Sequence, residues 1–258
     1  MLNILIPMAG RGSRFASAGF DLPKPLILVH GQVPMIRLVI ENLRPRRQDS
    51  RFIFLCLAEH LRDHDLENQL RSWAGESAQI VTVEGVTEGA ACTALLARDL
   101  INSDKPLMIA NSDQYVDIDL DDYLESAPGA DGLIMTMTAS DPKWSFIRLD
   151  DNQTVTQVVE KEVISDEATV GIYNFAAGRD FVRAGDAMIA RGLRVNGEFY
   201  VAPVYNQLIE EGAVIRHFNV GAEANGMYGL GIPADLHAFE DWQGSGPLVH
   251  RVVSGPGD

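Results

Sequence analysis

A glycine-rich loop carrying several cations follows the first apolar segment of the chain. The loop and its flanks, residues 6–26, read IPMAGRGSRFASAGFDLPKPL. Small residues at Gly10, Gly12 and Ser13 leave backbone amides uncovered, and such amides can hold phosphate oxygens. The neighbouring cations, which can neutralise the charge of a bound anion, are Arg11, Arg14 and Lys24. This combination predicts that the loop binds an anion, and phosphate suits it best.

Two well-known phosphate-binding patterns do not describe this loop. A dinucleotide-binding turn requires G-x-G-x-x-G leading directly into a helix, but Phe15 occupies the third glycine position and prolines 23 and 25 follow. The phosphate-loop pattern also fails, because Lys24 is too far from Gly10 and no Ser or Thr follows it. A surface turn with scattered basic residues is the alternative. We favour an anion site because Arg14 and Lys24 share one strand-to-helix connection.

The composition excludes several classes of partner. The formal net charge of −15 argues against general binding to nucleic acid or to an anionic membrane. No apolar run approaches the roughly 20 residues of a membrane helix, and the start of the chain does not resemble a signal peptide. Cys56 and Cys92 lie in apolar segments and are expected to be small core residues without a disulfide. We therefore expect a cytoplasmic protein.

Strands and helices alternate in the first half of the chain. Nearly continuous apolar runs predict strands at 2–8, 51–57, 78–84 and 106–112, with helices at 34–43, 60–73 and 88–101. This order implies a parallel sheet that is covered on both faces. The second half predicts strands at 131–140, 145–150, 155–161 and 168–176, and helices at 179–191, 200–211 and 233–242. The expected fold class is therefore α/β, a mixed, mainly parallel sheet with helices on both faces.

One domain spanning residues 1–243 accounts for all of these elements. Residues 244–258 are rich in glycine and are expected to form a flexible tail.

The opening motif MAGRGSRF, followed by LPKPL, closely resembles the start of sugar-phosphate nucleotidyltransferases. Their pattern is G-x-G-[ST]-R-[FL], and a lysine before proline follows. The resemblance implies that Arg14 and Lys24 are catalytic, with Lys24 at the α-phosphate of a nucleoside triphosphate. It implies that the triphosphate is bound by Ala9, Gly10, Gly12 and Ser13. It also implies a Rossmann-type fold like that of glycosyltransferase A enzymes.

Two further segments resemble the donor side of the same family. VEGVTEGAACTALLA (83–97) is similar to the base-recognition loop and following helix, which implies nucleotide contacts at Glu88 and Gly89. MIANSDQYV (108–116) is similar to a strand that ends in a metal-binding aspartate, here Asp113. Without the resemblance, Glu88 could simply be an acid that the helix dipole stabilises at a helix N-terminus. Asp113 could likewise cap a helix or a turn.

Later segments resemble the acceptor side. VVEKEVISDEATVGIYNF (158–175) is similar to the acceptor-binding segment, with its pair Glu160 and Lys161. VNGEFYVAPVYNQLIEEG and GLGIPADLHAF are similar to a bacterial branch associated with capsule and surface-polysaccharide synthesis, and Asn196 and Glu198 are expected to line the acceptor pocket. The simpler alternative for Glu160 and Lys161 is a solvated pair at a strand end. For Asn196 and Glu198 it is a polar loop before a helix.

The sequence departs from the family pattern at two positions. Many members carry a second metal-binding aspartate in W-x-D-x-G, where this chain reads MYGLG with Gly229 at the aspartate position. Either Asp113 is the main protein ligand, or another carboxylate such as Glu198 substitutes, or activity is impaired. The proline that usually follows the Glu-Lys pair is Glu162.

Nucleotidyl transfer suits these residue types without a side-chain base. The second pKa of an acceptor phosphate is near 6, so the nucleophile is already mostly ionised at pH 7. Catalysis then consists of positioning and charge neutralisation. Magnesium is the expected cofactor because it prefers carboxylate oxygens, water and substrate phosphates. No ligand or triad pattern is formed by the histidines, which are His30, His60, His64, His217, His237 and His250.

The expected enzyme transfers an NMP group from an NTP to a phosphorylated sugar or similar small acceptor, releases pyrophosphate and serves surface-polysaccharide synthesis. CTP is weakly favoured because Glu88 could accept a hydrogen bond from the cytosine amino group. A glycosyltransferase of related fold stays open, since DID at 117–119 could be a D-x-D metal motif, although such enzymes do not need the Arg14 and Lys24 loop. Gly229 also leaves open a non-catalytic nucleotide-binding subunit. The sequence is compatible with a homo-oligomer.

Overall fold

The first apolar segment forms a strand deep inside the sheet. The protein is described by a computed structural model that covers residues 1–254. In chain order the strands are β1 (Leu2–Pro7), β2 (Leu28–Val29), β3 (Val33–Pro34), β4 (Ser50–Leu57), β5 (Gln79–Val83), β6 (Leu107–Ala110), β7 (Gln114–Val116), β8 (Gly132–Thr138), β9 (Ser145–Leu149), β10 (Val155–Glu160), β11 (Glu167–Phe175), β12 (Ile215–Glu223) and β13 (Gly226–Gly229).

Helices cover both faces of these strands. They are α1 (Ser13–Ser17), α2 (Met35–Asn42), α3 (Ala58–His64), α4 (Leu66–Ala74), α5 (Ala90–Leu95), α6 (Arg98–Ile101), α7 (Leu120–Glu125), α8 (Gly178–Ala190), α9 (Tyr205–Glu210), α10 (Pro233–Asp241) and α11 (Ser245–Ser254). Short 3-10 turns span Lys24–Leu26 and Ala202–Val204.

The main sheet has 11 strands, in the order β5-β4-β1-β6-β11-β8-β12-β13-β7, with β9 and β10 attached beside β11. Strands β5, β4, β1 and β6 run parallel to one another. Antiparallel pairing begins at β11, which pairs with β6 and β8 in that sense. The predicted α/β fold class with a mixed sheet is confirmed.

Alternate residues of β1 contribute to two separate cores. Ile4 and Ile6 belong to the apolar cluster that includes buried residues of α2 and α4. Leu5 belongs to the opposite cluster, with residues of α5 and α8. Because both faces are buried, the strand reads as an uninterrupted apolar run. Within residues 1–254, no helix has the length and apolar character needed to span a membrane.

Several predicted helices are interrupted in the structure. The segment 60–73 contains two helices, because Asp65 adopts a left-handed conformation with φ 49° between α3 and α4. The segment 88–101 likewise divides into α5 and α6. In the segment 200–211 a 3-10 turn precedes α9. Apolar periodicity does not register such local breaks, because the buried face continues across them.

The expectation of a loose tail is wrong for Ser245–Ser254, which form α11. Val249 and Val252 are buried in a third apolar cluster, and Arg37 Nη2 donates a hydrogen bond of 2.7 Å to Val252 O. The i, i+3 spacing of the two valines gives the helix an apolar face, which the glycine content of this segment concealed. Gly255, Pro256 and Gly257 lie outside the described residues.

Candidate active site

The glycine-rich loop lies at the carboxyl end of β1 and folds back onto Lys24. Gly12 has φ 61°, and a Cβ built on it would lie 3.0 Å from Lys24 Cβ. The loop therefore requires glycine at this position, both for its backbone conformation and for the close approach. A cavity of about 250 Å³ opens here, and its lining consists of Pro7, Met8, Gly10, Gly12, Lys24, Pro25, Asn111, Ser112 and Asp113.

Lys24 and Asp113 form an ion pair in this cavity. Lys24 Nζ lies 2.7 Å from Asp113 Oδ2, and the two side chains are 22% and 24% exposed. Asp113 comes shortly after the end of β6, which is parallel to β1 in the sheet. Because the carboxyl ends of parallel strands share one edge, the loop and the aspartate meet where ligands of open α/β sheets bind.

Arg14 lies on the exposed side of α1, and the helix is anchored by the buried ring of Phe15. The rings of Phe15 and Phe20 meet edge to face with centroids 5.2 Å apart. Among residues 1–254, neither Arg11 nor Arg14 takes part in an ion pair. Arg14 is not among the residues that line the cavity, and within residues 1–254 its guanidinium is not paired with a protein carboxylate.

The Glu88 and Gly89 backbone is tied to Phe199. Phe199 N donates to Glu88 O at 2.8 Å, and Ala91 N donates to Phe199 O at 3.0 Å. Gly89 has φ 131°, and a Cβ there would lie 2.4 Å from Phe199 O. Arg194 Nη2 donates to Glu88 Oε2 at 2.9 Å. The Glu88 carboxylate, which was expected to contact the nucleotide base, is thus paired with Arg194. The sequence did not indicate this partner.

Lys161 points away from the sheet at the end of β10 and contacts Tyr200. Lys161 Nζ donates to the Tyr200 hydroxyl at 2.6 Å. This hydrogen bond is the main cause that raises the pKa of Lys161, and the charges of Glu160 and Glu198 act in the same direction. Lys161 has φ 57°, a conformation that a proline at the position of Glu162 would disfavour. The departure at 162 is therefore consistent with the local backbone.

Glu160 is buried, in contrast to its charged neighbour. It is 8% exposed, and Ser145 Oγ donates a hydrogen bond to Glu160 Oε2. Burial raises the pKa of Glu160, while the hydrogen bond from Ser145 and the charge of Lys161 oppose the rise. The alternative of a fully solvated Glu-Lys pair is wrong, since only Lys161 faces solvent.

Asn196 and Glu198 belong to a tight hairpin. Val195 and Glu198 exchange both backbone hydrogen bonds at 3.0 Å, and Asn196 and Gly197 have φ 50° and 84°. Asn-Gly is the sequence signal for such a turn. Glu198 is exposed and its charge influences the pKa values of Glu160 and Lys161. The hairpin thus brings Glu198 to the Lys161 side of the molecule.

The segment that carries Gly229 runs beside Asp113. Gly229 pairs with Gln114, the residue after Asp113, and Leu230 N donates to Asp113 O at 2.8 Å. The carboxylate that approaches this segment is Asp235 of α10, which sequence reasoning missed because an acid in the first turn of a helix is common. Burial raises the pKa of Asp235, and the charge of Asp113 is one of the contributions in the same direction.

The donor set suits a hard divalent cation. Asp113 offers a carboxylate in the cavity, and a Cβ on Gly231 would lie 2.9 Å from its Oδ2, so glycine at 231 leaves room for this oxygen. In residues 1–254 no group of three or more His, Cys, Asp and Glu side chains forms a metal cage. Magnesium fits such a site because it is commonly held by one or two carboxylates together with substrate phosphates.

The DID segment at 117–119 has a structural role instead. Asp119 Oδ1 accepts a hydrogen bond of 2.9 Å from Asp121 N and so caps α7. Asp119 Oδ2 also lies 3.9 Å from Arg47 Nη2. A capping carboxylate that is paired with an arginine is poorly suited to hold a metal, which argues against the glycosyltransferase interpretation.

Solved structures of similar fold act on or bind several nucleotides. The nucleoside-diphosphate-sugar pyrophosphorylase from Vibrio cholerae RC9 superposes with a TM-score of 0.76 at 24% identity, covering 93% of this chain and 100% of that chain. The inositol-1-phosphate CTP transferase from T. maritima gives 0.71 at 14% identity, covering 99% and 98%. HddC from Yersinia pseudotuberculosis complexed with GMP-PN gives 0.61 at 18% identity, covering 92% and 97%. At these identities the likeness shows the fold alone.

A protein-family model described as nucleotidyl transferase matches residues 4–184. A search of curated proteins found no significant match. The family match extends over most of the chain and includes the glycine-rich loop, Asp113 and the pair Glu160 and Lys161. The chain therefore belongs to the nucleotidyl transferase family of enzymes.

Proposed function

We propose that the protein transfers a nucleotidyl group from an NTP to a phosphorylated sugar or a similar small acceptor and releases pyrophosphate. The ion pair of Lys24 and Asp113 in the cavity beside the glycine-rich loop carries the proposal. An ammonium for phosphate oxygens and a carboxylate for a divalent cation lie side by side, as transfer from a highly charged triphosphate requires.

The donor triphosphate binds in the glycine-rich loop in this proposal. Backbone amides hold its phosphate oxygens, and the residues concerned are Ala9, Gly10, Gly12 and Ser13. Lys24 leaves Asp113 to contact the α-phosphate, and Arg14 neutralises charge from the exposed side. The Asp113 carboxylate that is released would hold Mg²⁺, which when bound supplies neutralisation of the phosphate charge.

The acceptor phosphate binds at Lys161. Lys161 is protonated at neutral pH, as an ordinary lysine is, and the phosphate would replace the Tyr200 hydroxyl as its hydrogen-bond partner. Glu198 and Asn196 line the same side and would contact the neutral part of the acceptor. Glu160 is buried behind Lys161 and holds the end of β10 in place through Ser145. Because the phosphate is already ionised, no residue has to remove a proton.

CTP is the donor that we would test first. Glu88 can accept a hydrogen bond from the cytosine amino group if Arg194 shares its carboxylate. The T. maritima structure of similar fold is described as a CTP transferase. The product would serve as an activated precursor for surface polysaccharide, in line with the resemblance of VNGEFYVAPVYNQLIEEG to enzymes of that branch.

The test is a thermal-shift screen of ATP, CTP, GTP and UTP with magnesium or EDTA, followed by assays of product release with a panel of sugar 1-phosphates and inositol 1-phosphate. Acceptor-dependent pyrophosphate release is the expected result. Release of a nucleoside diphosphate from a nucleotide-sugar donor would favour a glycosyltransferase. Magnesium-dependent binding of a triphosphate without any turnover would favour a non-catalytic subunit.

A further inference from the structure

Two glycines bring the backbone close to Asp113 and to a second carboxylate. A Cβ on Gly231 would lie 2.9 Å from Asp113 Oδ2, and a Cβ on Gly229 would lie 3.3 Å from Asp235 Oδ2. Leu230, between the two glycines, is fully buried in the third apolar cluster. The two carboxylates therefore both lie against one short segment, which leaves β13 at Gly229 and bends at Gly231.

The carboxylate of Asp235 lies against the backbone of Gly229. A Cβ at residue 229 would already crowd the Asp235 carboxylate, with its Oδ2 at 3.3 Å. Asp235 lies in the first turn of α10 and is partly buried beside the segment. The negative charge absent from the strand is thus supplied by the helix that follows it. Glu198, the substitute considered from the sequence, lies instead on the side of Lys161.

We infer that Asp235 supplies the second carboxylate of the divalent cation site formed with Asp113. The inference rests on the proposed function, since it assigns a further residue to the same site. Magnesium commonly uses one or two carboxylates, water and substrate phosphates, so Asp113 and Asp235 are a sufficient protein contribution. The two carboxylates would hold the cation, and triphosphate oxygens and water would complete its coordination, so a larger acidic cluster is not needed.

Helix capping is the competing role for Asp235. The backbone of Ile232, the N-cap residue of α10, lowers the pKa of Asp235 and so favours its charged carboxylate. An acid at this third helical position commonly reaches back to the N-cap amide. Asparagine retains an oxygen that can accept this hydrogen bond but loses the charge. Asp235→Asn therefore removes the proposed metal-binding function while keeping the cap.

The experiment measures Mn²⁺ binding to the full chain by electron paramagnetic resonance, without nucleotide and with the α,β-methylene analogue of the best-binding triphosphate. Four proteins are compared: wild type, Asp235→Asn, Asp241→Asn and the double variant Gly229→Asp/Asp235→Asn. Asp241 is an exposed acid at the far end of the same helix and serves as the matched control. The double variant restores a carboxylate at the position where the family pattern has one. Melting temperatures are recorded for all four.

We expect Asp235→Asn to weaken Mn²⁺ binding by at least about tenfold, the lower end of the cost of losing a metal-supporting group. Asp241→Asn should bind like wild type, and the double variant should recover most of the affinity. A Mn²⁺ affinity of Asp235→Asn within twofold of wild type would assign Asp235 to capping and overturn the inference. Failure of the double variant to recover affinity would also overturn it.

The proposed function and this inference can fail separately. If no triphosphate binds to the wild type, the proposed function fails, and the titrations without nucleotide still compare Asp235→Asn with wild type. If wild type turns over and binds Mn²⁺ but Asp235→Asn behaves identically, only the inference fails. Wild type that binds no Mn²⁺ in either condition contradicts both.

Discussion

Removing the Lys24 ammonium should separate the stability of the fold from the activity of the site. Lys24→Ala deletes the partner of Asp113 at 2.7 Å, and both side chains are about three-quarters buried. In the free protein the loss is that of a partly exposed ion pair. In the proposed reaction the loss is that of a charge-assisted contact to the α-phosphate, where charge develops in the transition state.

The two losses differ greatly in size. Exposed and partly exposed ion pairs stabilise folded proteins by about 0–1 kcal/mol, which for a chain of this size shifts the melting temperature by less than about 4 °C. Loss of one preorganised donor to the transition state costs roughly 2–4 kcal/mol. At about 1.4 kcal/mol per tenfold change, this lowers kcat/KM by about 10²- to 10³-fold.

The assay is pyrophosphate release under steady-state conditions, with melting curves recorded on the same preparations. Lys105→Ala is the matched control, because Lys105 is an exposed lysine outside the cavity. Lys24→Arg should recover only part of the rate, since a planar guanidinium replaces a compact ammonium. If Lys24→Ala retains more than about half of wild-type kcat/KM, Lys24 does not contact the triphosphate. A fall of the melting temperature by more than about 10 °C would instead give Lys24 a structural role.

Further changes test the other assignments. Asp113→Ala should abolish magnesium-dependent turnover with the fold intact, and wild-type rates at saturating magnesium would contradict its role as a ligand. Lys161→Ala should lower kcat/KM for the acceptor by about 10- to 100-fold, the cost of a hydrogen bond to a charged group, while calorimetric titration shows unchanged triphosphate affinity. Gly89→Ala should impair folding, because the new Cβ would lie 2.4 Å from Phe199 O; a wild-type melting temperature would show that the loop is not held there. Because burial raises the pKa of Glu160 above the ordinary 4.5, the folded state takes up this proton at higher pH than the unfolded chain. Stability should therefore fall as pH rises from about 4.5 through the folded pKa, and Glu160→Gln should flatten that part of the pH–stability curve.

The donor side was largely predictable because it follows from local patterns and one topological rule. Apolar runs at 2–8 and 106–112 indicate neighbouring parallel strands, and chain segments that follow such strands meet at one edge of the sheet. The glycine-rich loop and Asp113 could therefore be expected to lie together. Their contact through Lys24 is what the structure shows.

Contacts between distant segments were not predictable in the same way. The approach of Asp235 to Gly229 depends on how β13 and α10 pack, and the acid looks like an ordinary helix cap in the sequence. The pairing of Glu88 with Arg194 likewise joins segments that no local pattern connects. The folding of Ser245–Ser254 depends on a tertiary apolar surface, which outweighed the high glycine content of the segment.

Phe199 joins the proposed donor and acceptor sites into one unit. Its backbone hydrogen bonds to Glu88 and Ala91 hold the loop before α5, and the centroid of its buried ring lies 4.1 Å from the Arg194 guanidinium. Its sequence neighbours on either side, Glu198 and Tyr200, face Lys161. A nucleotide that changed the conformation of the loop before α5 would therefore also move the segment around Phe199, or that segment would resist the change. The same segment carries the proposed acceptor contacts. In the proposed reaction the positions of the two substrates would therefore be coupled through these backbone hydrogen bonds, which would suit a reaction that depends on alignment rather than on a catalytic base.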